Sequence, residues 1–338
     1  MQTKPSILTR IKRLPVSWPL VSLLLLLLIN LLFIPSFFAL EIRDGQLYGS
    51  LVDVLHRGSI GMILALGMTL VVATGGVDLS VGSVMAITGA IAALLLTVST
   101  LPTLLIIPIA LIVALLAGWI NGLLVTRAGL QPIVATLILM VSGRGIARFI
   151  TGEKVIGFGA EQQAETFSFI GNGTLFGLPF TITLASSLFI ATLWIVRKTA
   201  LGLFIEALGT NEKASYATGI QAQRIKIGVY LFAAFCAGIA GLVDTANIQA
   251  ADTVNAGIFT ELDAIFAVVV GGTALTGGRF SLTGSLIGAI LLQTLLTTLY
   301  TFGVAADTAP IPKALVILTV CLIQSEPIQK RLQKWRRI

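Results

Sequence analysis

Between Gly58 and Thr100 the chain carries a single charged residue, Asp78. As one helix at 1.5 Å per residue, that stretch would be about twice as long as a hydrocarbon core of roughly 30 Å is thick. It therefore reads as two membrane crossings, broken at Gly75-Gly76. Runs of the same kind recur along the chain. A segment in lipid must satisfy its own backbone hydrogen bonds, which leaves the helix as the form each run takes.

In chain order the predicted spans cover residues 18–38, two crossings within 58–100, 104–125, 133–150 and 180–196. They continue over 228–247, 262–275, 282–302 and 311–323. The fold class expected is an all-α integral membrane protein of about ten transmembrane helices. Residues 18–325 form one transmembrane domain between two basic tails, 1–17 and 326–338. Composition agrees: 56% of residues are hydrophobic and 11% charged, against roughly 25% charged in a soluble domain. The N-terminal Lys4, Arg10, Lys12 and Arg13, then Arg127, the 197–226 segment and the C-terminal KRLQKWRRI hold most of the positive charge. Ten spans with both termini in the cytoplasm place all of these on one face, as the positive-inside rule requires. The net charge of +7 thus needs no nucleic-acid partner. On this topology 197–226 is a cytoplasmic loop and 151–178 an outer loop. Cys236 and Cys321 lie in apolar runs and read as core thiols. The leucine run near the start lacks a small-residue cleavage site, so no removable signal peptide is expected.

The long charged segment 197–226 has an internal design. Residues 200–208 suit a helix closed by Gly209 in a left-handed C-terminal position. Asn211 is a good N-cap for a second helix over 212–218, stopped at Gly219. Ala214 and Ala217 share one face of it, with Lys213 and Tyr216 beside them. Such a knob fits a groove of a partner, and it equally fits a well-capped surface loop. An internal echo joins the two halves: TGGVDLSVGS at 74–83 and TGGRFSLTGS at 276–285 share TGG and GS at the same spacing. Duplication explains the match; so does chance among 34 glycines. Both junctions fall on the same face, so the repeat is not read as inverted.

Enzymatic chemistry finds little support. There is no phosphate-binding GxxxxGK[ST], the lone His56 rules out HExxH, and no GxSxG elbow occurs. Asn172-Gly173-Thr174 fits a glycosylation pattern that is common by chance. Polar groups in apolar surroundings remain as functional candidates. Asp78 either caps the helix that follows or lines a pathway where the helix is broken. Arg144 and Arg148 stand four residues apart near the outer end of the fifth span; Arg148 can snorkel, whereas Arg144 lies deeper. Asn121 and Gln131 suit hydrogen bonds between helices. Glu261 and Asp263 open the eighth span and favour its N-terminus.

Three stretches carry a family resemblance: MTLVVATGGVDLSVGSVMAITGA, ELDAIFAVVVGGTALTGGRF and IEALGTNEKASYATGI. Together they resemble the permease subunits of bacterial ABC sugar importers of the ribose, arabinose, xylose and galactose branch, over about residues 18–325. RDGQLYGS, ATLILMVSGRGIARFIT and RKTALGLFIEALG are most similar to a galactofuranose importer permease. The resemblance implies that Glu206, Ala207, Gly209, Asn211, Ala214 and Gly219 form a coupling helix that docks into an ATP-binding subunit. It also implies an ATPase dimer that binds ATP and Mg, so that this chain holds no cofactor and performs no hydrolysis. A periplasmic sugar-binding protein would act on 151–178 and 249–260, in a bacterial inner membrane. The galactofuranose match implies a second permease chain from a different gene. No family motif maps the pore, and Asp78, Ser80 and Arg144 stand as candidate pathway residues. The rival readings are an ATP-independent secondary transporter or channel, and a branched-chain amino-acid permease of the same ABC class.

Overall fold

A computed structural model of the chain describes residues 17–43, 45–159 and 162–324. The tails expected at 1–17 and 326–338 fall outside the described residues except for Ser17, and so does the side chain of Cys321. Each predicted span falls on a helix, although the helix in 18–38 stops at Phe33 and the helix in 262–275 stops at Val270. The elements are α1 (Ser17–Phe33), α2 (Ser50–Ala73), α3 (Val81–Val98), α4 (Thr103–Thr126) and α5 (Pro132–Thr151). Then follow α6 (Gln162–Asn172), α7 (Phe180–Lys198), α8 (Leu201–Thr210), α9 (Glu212–Ala217) and α10 (Ala222–Ile248). The chain closes with α11 (Thr260–Val270), α12 (Leu282–Thr301) and α13 (Pro310–Gln324). Three antiparallel ribbons join them: β1 (Glu41–Arg43) with β2 (Gln46–Tyr48), β3 (Ile156–Gly157) with β6 (Ala250–Ala251), and β4 (Thr174–Leu175) with β5 (Leu178–Pro179).

Among the described residues seven helices, α2, α3, α4, α5, α7, α10 and α12, are long and apolar enough to cross a membrane. Helices α1, α11 and α13 are shorter. Boundaries move outward where a charged turn continues a helix: α2 begins at Ser50 and takes in Asp53, His56 and Arg57, and α10 includes Arg224 and Lys226. The expected outer loop 151–178 contains the helix α6, and the Asn172 amide docks it on α10 by donating to the Ala246 carbonyl at 2.8 Å.

Small residues set the packing at the centre. A Cβ on Gly67 of α2 would stand 2.8 Å from the Ala233 Cα, and one on Gly118 of α4 would stand 2.5 Å from the Ala234 Cβ. The α3–α10 contact is equally close, because a Cβ on Gly241 would meet the Met85 carbonyl at 2.4 Å. In lipid no hydrophobic force drives helices together, so close van der Waals contact does that work. The contacts also give directions. Along α10, Tyr230 meets Gly76 and Cys236 meets Gly67, so α2 runs antiparallel to it. Gly241 meets Met85 and Thr245 meets Gly89, so α3 runs parallel. Hydrogen bonds tie outer helices to this centre: Asn30 Nδ2 donates to Thr298 Oγ1, and Thr69 Oγ1 to Ser285 Oγ, each at 2.8 Å. Cys236 is a fully buried free thiol, as expected. Helices α4, α5 and α7 turn apolar side chains outward, among them Trp119, Phe149 and Trp194.

This packing predicts an asymmetry. Gly118→Leu should prevent assembly of the folded protein in detergent, read by size-exclusion and thermal unfolding. Leu116→Ala, on the outward face of the same helix, should shift the midpoint by no more than a few degrees, the scale of about 0.5 kcal/mol for a surface change.

Candidate functional site

The chain leaves α2 at Ala73, turns through Gly75 at φ +77° and runs unwound to Ser80. Asp78 lies in this stretch and is 1% exposed. Its Oδ1 accepts from the Ser80 amide at 2.8 Å and from Ser80 Oγ at 2.6 Å. The N-cap position of α3 belongs to Ser80, so Asp78 is not the cap but a brace two residues ahead of it. Ser80 Oγ in turn accepts from Asn121 Nδ2 at 2.8 Å, the helix-to-helix bond expected of Asn121. Gln131 stays exposed at the start of α5. Asp78, Ser80 and Asn121 thus form one connected group, closed off from the surface in this conformation.

A second broken segment approaches from the opposite side. After β6, residues 252–259 fold inward along α3: Ala251 shares a cluster with Ala92, Ala93 and Leu96, and Ala256 packs with Ala86 and Ile87. Gly257 reaches Gly82, where an added Cβ would stand 2.2 Å from the Gly257 carbonyl oxygen and 2.7 Å from Glu261 Oε2. Arg144 of α5 pins this contact, donating from Nη1 to the Ala256 carbonyl at 2.9 Å and from Nη2 to the Gly257 carbonyl at 2.7 Å. The structure therefore brings Asp78 and Ser80 together and sets Arg144 on the far side of the first turn of α3. At the head of the segment the Asn255 side chain and the amides of Val254 and Asn255 donate to Asp252, which holds its carboxyl below the usual range.

The acidic residues at the start of α11 do more than complement a helix terminus. Glu261 is buried beside Arg144, and Asp263 is ion-paired with Lys313 of α13. Hydropathy marks 249–260 as polar and hence outside, and contains no sign that the stretch folds back among the helices. Asp244, the one acidic residue in α10, is overlooked by the sequence reading, although a residue-by-residue charge scan finds it.

On the other face, α8 and α9 form a tight hairpin. Asn211 caps α9 as expected, its Oδ1 accepting from the Ala214 amide at 3.0 Å, and Gly219 ends that turn at φ +85°. Gly209 is a correction: α8 continues through Thr210, and Gly209 is not left-handed. A glycine is needed there for space. A Cβ would lie 1.9 Å from the Ala73 carbonyl oxygen and 2.3 Å from the Gly278 amide nitrogen. That amide donates to the same Ala73 carbonyl at 2.9 Å, and a Cβ on Gly277 would stand 2.8 Å from the Gly75 nitrogen. The two TGG junctions meet each other under the end of α8. Glu206 lines a cleft with Arg197, Phe280 and Thr283, while Ala207 is half-buried. Ala214, Ala217 and Tyr216 face outward on α9, and Lys226 holds Glu212 at 2.7 Å.

Comparison with known proteins places this architecture. The signature of the family described as "Branched-chain amino acid transport system / permease component" matches residues 50–323. The chain is 43% identical to the galactofuranose transporter permease protein YtfT of Escherichia coli, over 91% of each chain. It is 40% identical to the fructose import permease protein FruF of Bifidobacterium longum, over 95% of this chain and 90% of that one. It is 36% identical to the ribose import permease protein RbsC of Escherichia coli, over 91% and 92%. With the helices from α2 onward, both broken segments and both junctions inside the matched region, the chain belongs to this family of multi-pass membrane permease components.

Proposed function

We propose that the chain is the membrane-spanning half of an ATP-driven, binding-protein-dependent monosaccharide importer, with a galactofuranose-like sugar as its cargo. The observation that carries this reading is the seating of Gly209. Through it the α8–α9 hairpin bears directly on the end of α2 and on the loop before α12, so a displacement of the hairpin reaches both halves at once. The names of the relatives support a sugar over an amino acid, although the family description mentions the latter.

In this reading ten helices cross a bacterial inner membrane with both termini inside, the short α1, α11 and α13 included. An ATPase dimer binds ATP and Mg, closes, and drives the hairpins of two permease chains together; the second chain is a different gene product. Glu206, Ala207, Gly209, Asn211, Ala214 and Gly219 form the coupling element. A periplasmic binding protein releases sugar from the side of 151–178 and 249–260. Asp78, Ser80 and Arg144 stand at the broken segments along the pathway, which alternates its access. Direction follows from the different affinities of the two states for ligand.

A second reading, ion-driven transport without ATP, draws on the ionisable residues inside the helices: Asp244, Glu261 and the Asp263–Lys313 pair. It leaves the hairpin without a task. Two variants separate the readings. Ala214→Glu changes only the exposed face of α9 and should abolish co-purification with the importer's ATP-binding subunit. Uptake of labelled galactose, ribose or fructose should fall with it by more than about tenfold, the cost of a buried unpaired charge. Gly209→Ala should keep the ATPase bound while lowering sugar moved per ATP about tenfold, because the added methyl separates α8 from Ala73. Uptake that survives Ala214→Glu and follows an ion gradient would overturn the importer reading.

A further inference from the structure

The seam between Gly82 and Gly257 carries three features that packing alone does not account for. Glu261 is 7% exposed, and its Oε2 is buried without a hydrogen-bond partner among the described residues. A buried carboxylate oxygen left unpaired is costly. Beside it, Arg144 spends two nitrogens on the carbonyls of Ala256 and Gly257 and forms no ion pair with Glu261. The backbone that covers both is strained at Phe259, which stands at φ +60°, a left-handed conformation that aromatic residues seldom adopt. Phe259 is also 62% exposed.

We propose that Glu261, Arg144 and Phe259 form a sugar-contact subsite of the translocation path, covered in this conformation by the Gly257-on-Gly82 contact. This rests on the sugar-importer reading above and adds residues to it. A sugar hydroxyl both donates and accepts. Glu261 supplies the acceptor for one hydroxyl and Arg144 the donors for its neighbour. Phe259, two residues before Glu261, supplies an apolar ring for the C–H face of the sugar. A few polar groups beside an aromatic surface make the usual composition of a small-molecule site. While the seam is shut there is no room for a ligand, since even a methyl group on Gly82 would collide with Gly257. Lifting 252–259 frees the Arg144 nitrogens and uncovers Glu261 in one movement. The strained backbone at Phe259 favours that release, and sugar hydroxyls replace the carbonyls that Arg144 gives up.

The test uses the full importer, with its ATPase and binding protein, in proteoliposomes supplied with labelled galactose, ribose or fructose. Sugar moved per ATP is measured beside ATPase stimulation by loaded binding protein. Glu261→Gln and Phe259→Ala should each lower sugar per ATP about tenfold while assembly and stimulated ATPase persist, as the loss of one contact to a charged or stacked group predicts. Glu261→Asp and Phe259→Tyr should restore most of it. If uptake and ATPase fall in proportion, or the conservative variants rescue nothing, the residues are structural and the inference is overturned. Unchanged coupling in all four variants overturns it as well. A wild-type complex that moves neither these sugars nor galactofuranose would instead sink the importer reading itself.

Discussion

The carbonyl of Ala73 is the point on which one end of the molecule depends. It closes α2, accepts the Gly278 amide from the second half of the chain, and lies against the bare Cα of Gly209. Three segments distant in sequence share one peptide group, with no side chain between them. Contact at this range is stiff, because packed backbone cannot rotate away as a long side chain can. Whatever moves the α8–α9 hairpin therefore acts on two helix ends without slack.

Away from that point the same economy of side chains lets broken segments enter the bundle. Unwound backbone is tolerated at membrane depth only where protein buries it. Here 74–80 is covered by α4 and α5 through Asn121 and Thr136, and 252–259 is held by Arg144. The two segments converge on the first turn of α3 from opposite sides. That convergence places a carboxylate, a guanidinium and a braced aspartate within a few residues of one another, although hydropathy alone would spread them over two faces.

Local rules were legible and distant contacts were not. Charge-free runs located each spanning helix, because the cost of charge in lipid is written residue by residue. Asn211 was readable as a cap, since its partner Ala214 is three residues away. Gly209 was misread for a related reason: glycine near a helix end has a strong local explanation, yet Ala73 and Gly278 dictate this one. The TGG echo was visible as a pattern, while the contact between its two copies needed three dimensions. Glu261 shows the limit most clearly. Its position at a helix start invites a dipole argument, and only the return of 252–259 into the bundle makes it a buried neighbour of Arg144.

The ribbon of Ile156–Gly157 with Ala250–Ala251, extended by the Phe158 amide donating to the Gln249 carbonyl at 3.2 Å, stitches the 151–178 loop to the segment that descends to the seam. The two stretches are separated by α6 through α10 in the chain, yet they are one piece of backbone fabric. Recombination between related permeases must respect that join. A graft of the 151–178 region without its companion strand would bring foreign side chains to an edge whose register sets the depth of Gly257, so the two have to be exchanged as a single cassette.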